Sequence, residues 1–229
     1  MDWEERFDME FHPKKCQHMT FSRKRQPHSE PLSLHQTEIP RAQSVKYLGV
    51  TFDSKITWLT YINNTIAKAN STLGFIKRNV LTTSGAVKES AYRQLVRPVL
   101  EYASAAWDSI SDTLASRLEA VQRRAARHIC GIRRNDRKTS TTGLLEHLKL
   151  PKLSQRRCDR RLKVFSQYHH GNTEVLSKYI SRAQYTSARR HSQQYLAPHT
   201  NTDHCRRSFF IRTAKEWNIL PPTCPLLIP

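Results

Sequence analysis

Six apolar residues, Leu59, Ile62, Ile66, Ala69, Leu73 and Ile76, recur at intervals of three and four. That spacing places all six on one stripe of a single helix, which must be buried against something. Thr57 stands where an N-cap is wanted, and the stripe is too short in heptads for a free coiled coil. A second helix is predicted from Ser84, carrying Val87, Ala91, Leu95 and Val99. Pro98 removes an amide donor there and should kink or end it, after which residues 99–107 can continue as helix. Ser111 or Asp112 caps a third, with Leu114, Leu118, Val121, Ala125 and Ile129 on one side and Gly131 at its C-terminal end. A short helix near 144–148 precedes Pro151. A further one is expected with Ser154 as cap, Cys158, Leu162 and Phe165 facing inward, and Gly171 at its end. Its other faces are assigned Arg156, Arg157, Arg160, Arg161 and Lys163.

Before the first long helix the pattern changes. Residues 15–22 alternate imperfectly as a strand would, with Cys16, His18 and Thr20 on one face. A second short strand can start at 32–34, and 45–52 reads as a third with Gly49 inside it, where glycine marks a bulge or a close backbone approach. Residues 181–207 are rich in Ser, Thr, Gln, His and Arg and read as a long loop or disordered stretch. Residues 208–222 regain apolar content and should dock back. The expected fold is therefore mainly α with a small N-terminal antiparallel β portion (α+β).

The chain of 229 residues has net charge +19, and the charge is unevenly placed. Residues 1–60 carry nine Lys/Arg against eight Asp/Glu. Residues 123–163 carry fourteen against three, a balance of +11 in 41 positions. Such a block seeks phosphate or serves as a solubilising face, and at this density nucleic acid is the favoured partner. For Arg123, Arg124 and Arg127 a second reason exists, since cations suit the C-terminal end of a helix. No apolar run approaches the roughly 18–20 residues of a membrane span, and the acidic N-terminus lacks the basic and apolar regions of a signal peptide. The five cysteines form no C-x-x-C pair, which suits free thiols in a reducing, intracellular compartment, nuclear or cytoplasmic.

Catalytic motifs are absent from the sequence. There is no P-loop, no dinucleotide-binding G-x-G-x-x-G, no nucleophile elbow and no H-E-x-x-H helix. No paired aspartates occupy a strand turn, as two-metal phosphoryl transfer requires. Asp53 stands alone and reads as a turn residue. His191, His199, His204 and Cys205 match no standard zinc spacing. Neither a catalytic residue nor a metal ligand is therefore assigned.

The segments MEFHPKKCQHMTFSRKR (9–25) and VKYLGVTFDSKITW (45–58), then LGFIKRNV, VKESAYRQLVRPVLEYASAAWD, LEAVQRRAARHICG and SFFIRTAKEWNILP, follow one another in order. Together they resemble the end of the polymerase domain in reverse transcriptases of non-long-terminal-repeat retrotransposons, the jockey-like long interspersed elements. His12 departs from that pattern, where asparagine is usual, and no zinc knuckle follows. The resemblance implies a palm remnant with a primer-grip-like hairpin at 1–56, a helical thumb at 57–180 and a loop-rich segment at 181–229. It places Tyr47, Leu48 and Gly49 where a primer end is steadied. It implies that Arg123, Arg124, Arg127, Arg133, Arg134, Arg156, Arg157, Arg160, Arg161 and Lys163 track the phosphates of an RNA–DNA or DNA template–primer duplex. The family is an RNA-directed DNA polymerase using magnesium, but the Y/F-A-D-D turn is not in this sequence. The expectation is a truncated, reverse-transcriptase-derived chain that binds nucleic acid and is inactive alone, with no cofactor of its own. Missing palm and fingers of a full-length element are its other possible partner. The alternative is a helical protein-interaction module or a translated relic.

Overall fold

The computed structural model describes residues 3–25, 30–80, 84–132, 136, 138–171, 173–184 and 191–227. The chain forms two units, Met1–Asn63 and Asn64–Pro229. It is mainly helical, and its strands form small two-stranded antiparallel ladders.

In the first unit, helix α1 (Trp3–Phe7) is followed by a 3-10 turn at Pro13–Lys15, then by β1 (Ser33–Leu34) paired with β2 (Thr37–Glu38). Strand β3 (Ser44–Tyr47) pairs with β4 (Val50–Asp53), Tyr47 opposite Val50. Two sequence expectations change here. Residues 15–22 form only an isolated bridge, His18 to Arg41. Residues 45–52 are two strands of a hairpin, not one strand. Gly49 is in its two-residue turn with φ +81°, and Leu48 beside it has φ +45°. Paired positive φ values match the turn whose twist fits antiparallel strands. Glycine adopts that geometry freely, whereas leucine does so at a cost.

Asp53 closes the unit's last turn. Its carboxylate accepts hydrogen bonds from the amides of Lys55 (3.1 Å), Thr57 (3.0 Å) and Trp58 (3.1 Å), and from the Thr57 hydroxyl (3.0 Å). Partial burial works upward on its pKa, but these bonds, led by those from Thr57, hold it below the ordinary aspartate value. They also hold Ile56 (φ +52°) and Trp58 (φ +62°) in left-handed backbone, a conformation that persists only where its surroundings over-determine it.

The long stripe forms α2 (Leu59–Asn79). Ile62, Ala69, Leu73 and Ile76 are each at most 3% exposed, as their spacing requires. Ile66 is only half-buried, and Leu59 is exposed at 48%. It occupies the first turn, and Trp58 and Tyr61 are buried instead. Next come α3 (Gly85–Ala91), a π-helical turn at Tyr92–Val96 and α4 (Arg97–Glu101). The helix thus runs past Pro98. In the wide turn the Arg97 amide reaches the Tyr92 carbonyl, one residue further back than in an α-helix. The path ends after Glu101, where Ala103 is left-handed (φ +51°), and resumes as α5 (Ser104–Trp107).

Helix α6 (Asp112–Ile129) begins as expected, with the Ser111 hydroxyl accepting the Leu114 amide, and Gly131 (φ +68°) follows it. After α7 (Thr141–His147) comes α8 (Leu153–Gly171). Ser154 is not its cap. Its amide instead donates to Glu119 Oε1 of α6 at 2.8 Å. A buried relay fixes the approach to α8: the Tyr92 hydroxyl donates to Gln122 Oε1 (2.7 Å), and Gln122 Nε2 donates to the Pro151 carbonyl (2.9 Å).

Helix α9 (Thr173–Ser177) follows, then β5 (Ser181–Arg182) paired with β6 (Tyr195–Leu196), then α10 (Asp203–Arg206) and α11 (Phe209–Trp217). Ser181 to Arg207 is therefore not simply a long loop. Helix α11 packs on α8, and together they enclose a core of Leu162, Phe165, Leu176, Ile180, Tyr195, Ala214, Trp217 and Leu227. The Trp217 indole donates to the Gln193 carbonyl (2.8 Å), and its own carbonyl accepts from His191 Nε2 (2.9 Å). Among the described residues no helix is long and apolar enough to cross a membrane.

His169 lies in the wall of this core, 7% exposed, sharing a 2.7 Å hydrogen bond with the Tyr195 hydroxyl. Burial, then the neighbouring His170, Arg182 and His191, lower its pKa from the ordinary histidine value. The unfolded chain thus binds this proton more readily than the folded one. The stability His169 contributes is complete above about pH 6.5, its unfolded value, and is lost as pH falls towards the lowered folded value. Urea midpoints are expected to fall between pH 7.5 and 5, and His169→Gln should shrink that decline. An unchanged decline in the variant would assign it to other groups.

Candidate nucleic-acid interface

The residues expected to meet nucleic acid occupy distinct settings in each unit. At the hairpin tip Tyr47 is 65% exposed and Leu48 73%. Tyr47 stands in the last ladder pair, opposite Val50, and Leu48 in the turn beyond it, so this tip presents apolar surface to solvent.

In the second unit the cations of α6 sort by contact. Arg124 is exposed and donates to Asn70 Oδ1 at 2.8 Å. Arg123 is half-buried and reaches the Ser116 carbonyl at 3.4 Å. Arg127 donates to the Asp136 carbonyl. The Asp136 carboxylate is bound by the Thr139 hydroxyl and by the Lys138 and Thr139 amides, which lowers its pKa. Arg133 and Arg134 lie outside the described residues.

Helix α8 differs most from expectation. Arg157 and Arg161, assigned to its outer faces, are each 2% exposed. Arg157 Nε donates to Asp108 Oδ1, and its guanidinium carbon lies 5.7 Å from the Trp107 ring centroid. Arg161 pairs with Asp108 and with Glu216. Arg212 of α11 completes the group, donating to the Asp108 carbonyl (3.0 Å) and to Glu216 Oε1 (3.1 Å). Asp108 itself is 4% exposed. The physical reason is in the helical wheel: Arg161 lies three residues after Cys158 and four before Phe165, so it points inward with them. A buried guanidinium needs a carboxylate, and Asp108, just after α5, and Glu216 of α11 supply one each. Cys158 is packed against the same Glu216, and burial, then that carboxylate, push its thiol up to about 12, which makes it inert as a nucleophile.

The remaining cations of α8 face outward. Arg156 is half-buried and binds the buried Glu101 through both carboxylate oxygens. Arg160 is exposed, with one guanidinium nitrogen on the Glu101 carbonyl (3.0 Å). Lys163 is exposed. The structure thus separates charge by depth: Glu101, Asp108 and part of Glu216 are drawn inside, while Arg124, Arg160 and Lys163 stay at the surface. Sequence reasoning missed the three acids. Glu101 and Asp108 stood in a stretch read only for helix continuation, and nothing in their spacing announces partners some fifty residues away.

Among the described residues no group of three or more His, Cys, Asp or Glu comes together to hold a metal ion. His191, weighed as a zinc ligand, donates to the Trp217 carbonyl and accepts the Gln193 amide at Nδ1 (3.2 Å).

The chain is similar to the probable RNA-directed DNA polymerase from transposon X-element of Drosophila melanogaster, with 25% identity over 135 residues. The match covers 57% of this chain and 14% of that protein, so the chain spans a small part of its relative's length. No protein-family model and no solved structure matches it. The similarity supports a relationship to the RNA-directed DNA polymerases of transposons.

Proposed function

We propose that this chain is the palm-end and thumb portion of a non-long-terminal-repeat, jockey-like reverse transcriptase, and that it grips a template–primer duplex. The observation that carries the reading is the separation of charge by depth. Acids neutralise the inner arginines of α8, and Glu101 holds Arg156; Arg160, 3.9 Å from the same carboxylate, keeps 47% of its side chain exposed and, with Arg124 and Lys163, presents charge for phosphate. The similarity to a transposon polymerase and the order of the sequence segments support it. Arg124, Arg160 and Lys163 make the phosphate contacts, with Arg123, Arg127 and Arg156 beside them. Arg157 and Arg161 act from inside by fixing the helix that presents the others. The hairpin tip of Tyr47, Leu48 and Gly49 steadies the primer end, its glycine allowing close backbone approach. Contacts of this kind position a duplex without reading its sequence. The chain's share in polymerisation is grip; the metal-bound chemistry belongs to carboxylates of the intact element.

Counterion release gives the test. Each phosphate neutralised contributes about 0.9 to the slope of log affinity against log salt. Replacing Arg124, Arg160 and Lys163 together with glutamine is expected to weaken binding of an RNA–DNA duplex and to lower the slope by about 3. A triple variant with the wild-type slope removes these residues from the interface. Absence of duplex binding by the wild type at about 50 mM salt, where such contacts are strong, overturns the proposal. It would favour the helical protein-interaction reading. The cavity of about 680 Å³ beside Leu145, Leu150 and Pro151 would then be the first surface to probe.

A further inference from the structure

The aromatic residues of the C-terminal region are arranged in two ways. Inside the core the rings meet tilted or edge-on, as Phe165 does with Trp217 (48°) and Tyr195 (87°). At its margin Tyr179 lies nearly parallel to Phe210, with centroids 4.3 Å apart and an interplanar angle of 11°. Phe210 is held from behind. It meets Phe209 edge-on at 5.1 Å and Tyr168 at 6.5 Å, and all three pack against the buried core. Tyr179 is nevertheless 50% exposed. Phe210 covers one face of the ring, and half of the residue stays open to solvent. The result is a half-exposed aromatic ring at the water boundary, backed by Phe210, which itself packs on the core.

The charges around it are positive. Lys178 Nζ is 6.0 Å from the Tyr179 centroid, and Arg182, exposed, follows in β5. The nearest acid in sequence, Glu174, is a full helical turn before Lys178. A rigid aromatic face beside cations suits a group that is flat and anionically tethered. Unpaired nucleobases meet that description, because each offers a π face and carries a phosphate. Paired bases do not, since their faces are already stacked within the duplex.

We propose that Tyr179, backed by Phe210, is a stacking platform for an unpaired base of single-stranded nucleic acid, with Lys178 and Arg182 meeting the adjoining phosphates. The site shares no residue with the outer cations of α6 and α8. It rests on the reading above only for the class of ligand, and single-strand and duplex binding can be scored independently.

The experiment uses the full chain and a short oligo-dT strand carrying one fluorescent adenine analogue, whose emission drops on stacking, at about 50 mM salt. Tyr179→Leu keeps the apolar bulk and removes the π face. It is expected to weaken single-strand binding about 5- to 150-fold and to abolish the quenching, with RNA–DNA duplex affinity unchanged. Tyr179→Phe should retain both single-strand affinity and quenching, and circular dichroism of each variant confirms that it is folded. Single-strand binding lost on Tyr179→Leu but kept on Tyr179→Phe supports the platform even if the duplex does not bind, a result that would defeat only the duplex reading. Wild-type affinity or quenching in the leucine variant overturns it, as does absence of single-strand binding by the wild type.

Discussion

Replacing Asp108 with alanine is expected to destabilise the second unit by about 3–5 kcal/mol, read as a fall in the urea midpoint. The carboxylate is 4% exposed and lies among Arg157, Arg161 and Arg212. Its loss removes the carboxylate paired with Arg157 and one of the two paired with Arg161, which keeps Glu216. Removing one partner of a buried ion pair costs far more than the pair contributes, because the other charge stays desolvated. The same argument predicts a rescue. Combining Asp108→Leu with Arg157→Met and Arg161→Met replaces the charges with apolar bulk, and most of the lost stability should return. A cost below about 1 kcal/mol, the scale of an exposed pair, would mean that the group is hydrated and that the depth separation described above does not exist.

Trp217→Ala is expected to cost a similar amount, about 3–5 kcal/mol, as large aromatic truncations in cores do. The side chain is fully buried and touches Phe165, His169 and His191. Truncation opens a cavity and also leaves the Gln193 carbonyl without its indole donor. Trp217→Phe fills most of the space and should cost less, with the missing N–H accounting for much of the difference. Equilibrium unfolding followed by far-ultraviolet circular dichroism checks both. If alanine is tolerated within about 1 kcal/mol, α11 is not a structural part of the unit.

What the sequence makes legible follows from period and punctuation. The stripe of α2 and the cap of α6 are local facts, and local residues declare them. Leu59 shows the edge of that method, since a periodic position in the first turn has less helix around it to enforce burial. Gly49 shows another. A glycine between two apolar runs fits a bulge or a turn, and the two-residue hairpin is distinguished only by the pairing of Tyr47 with Val50. The larger miss concerns Arg157 and Arg161. Their spacing already put Arg161 among inward residues, but charge was read as a reason to face water. The reading failed because burial depends on partners, and Asp108 and Glu216 lie 49 and 55 residues away along the chain. The platform at Tyr179 was illegible for the same reason: Phe210 reaches it from another helix.

The β3–β4 hairpin has a further consequence. Its ladder has two strands, so each carries an outer row of amides and carbonyls that can accept another strand. With Tyr47 and Leu48 exposed at its tip, the hairpin has the makings of a seed for aggregation. Lys46 within β3 is one gatekeeper, and mutual repulsion between molecules of charge +19 is another. A polyanion that neutralises this charge without covering the hairpin would therefore turn a dispersed protein into a clumping one.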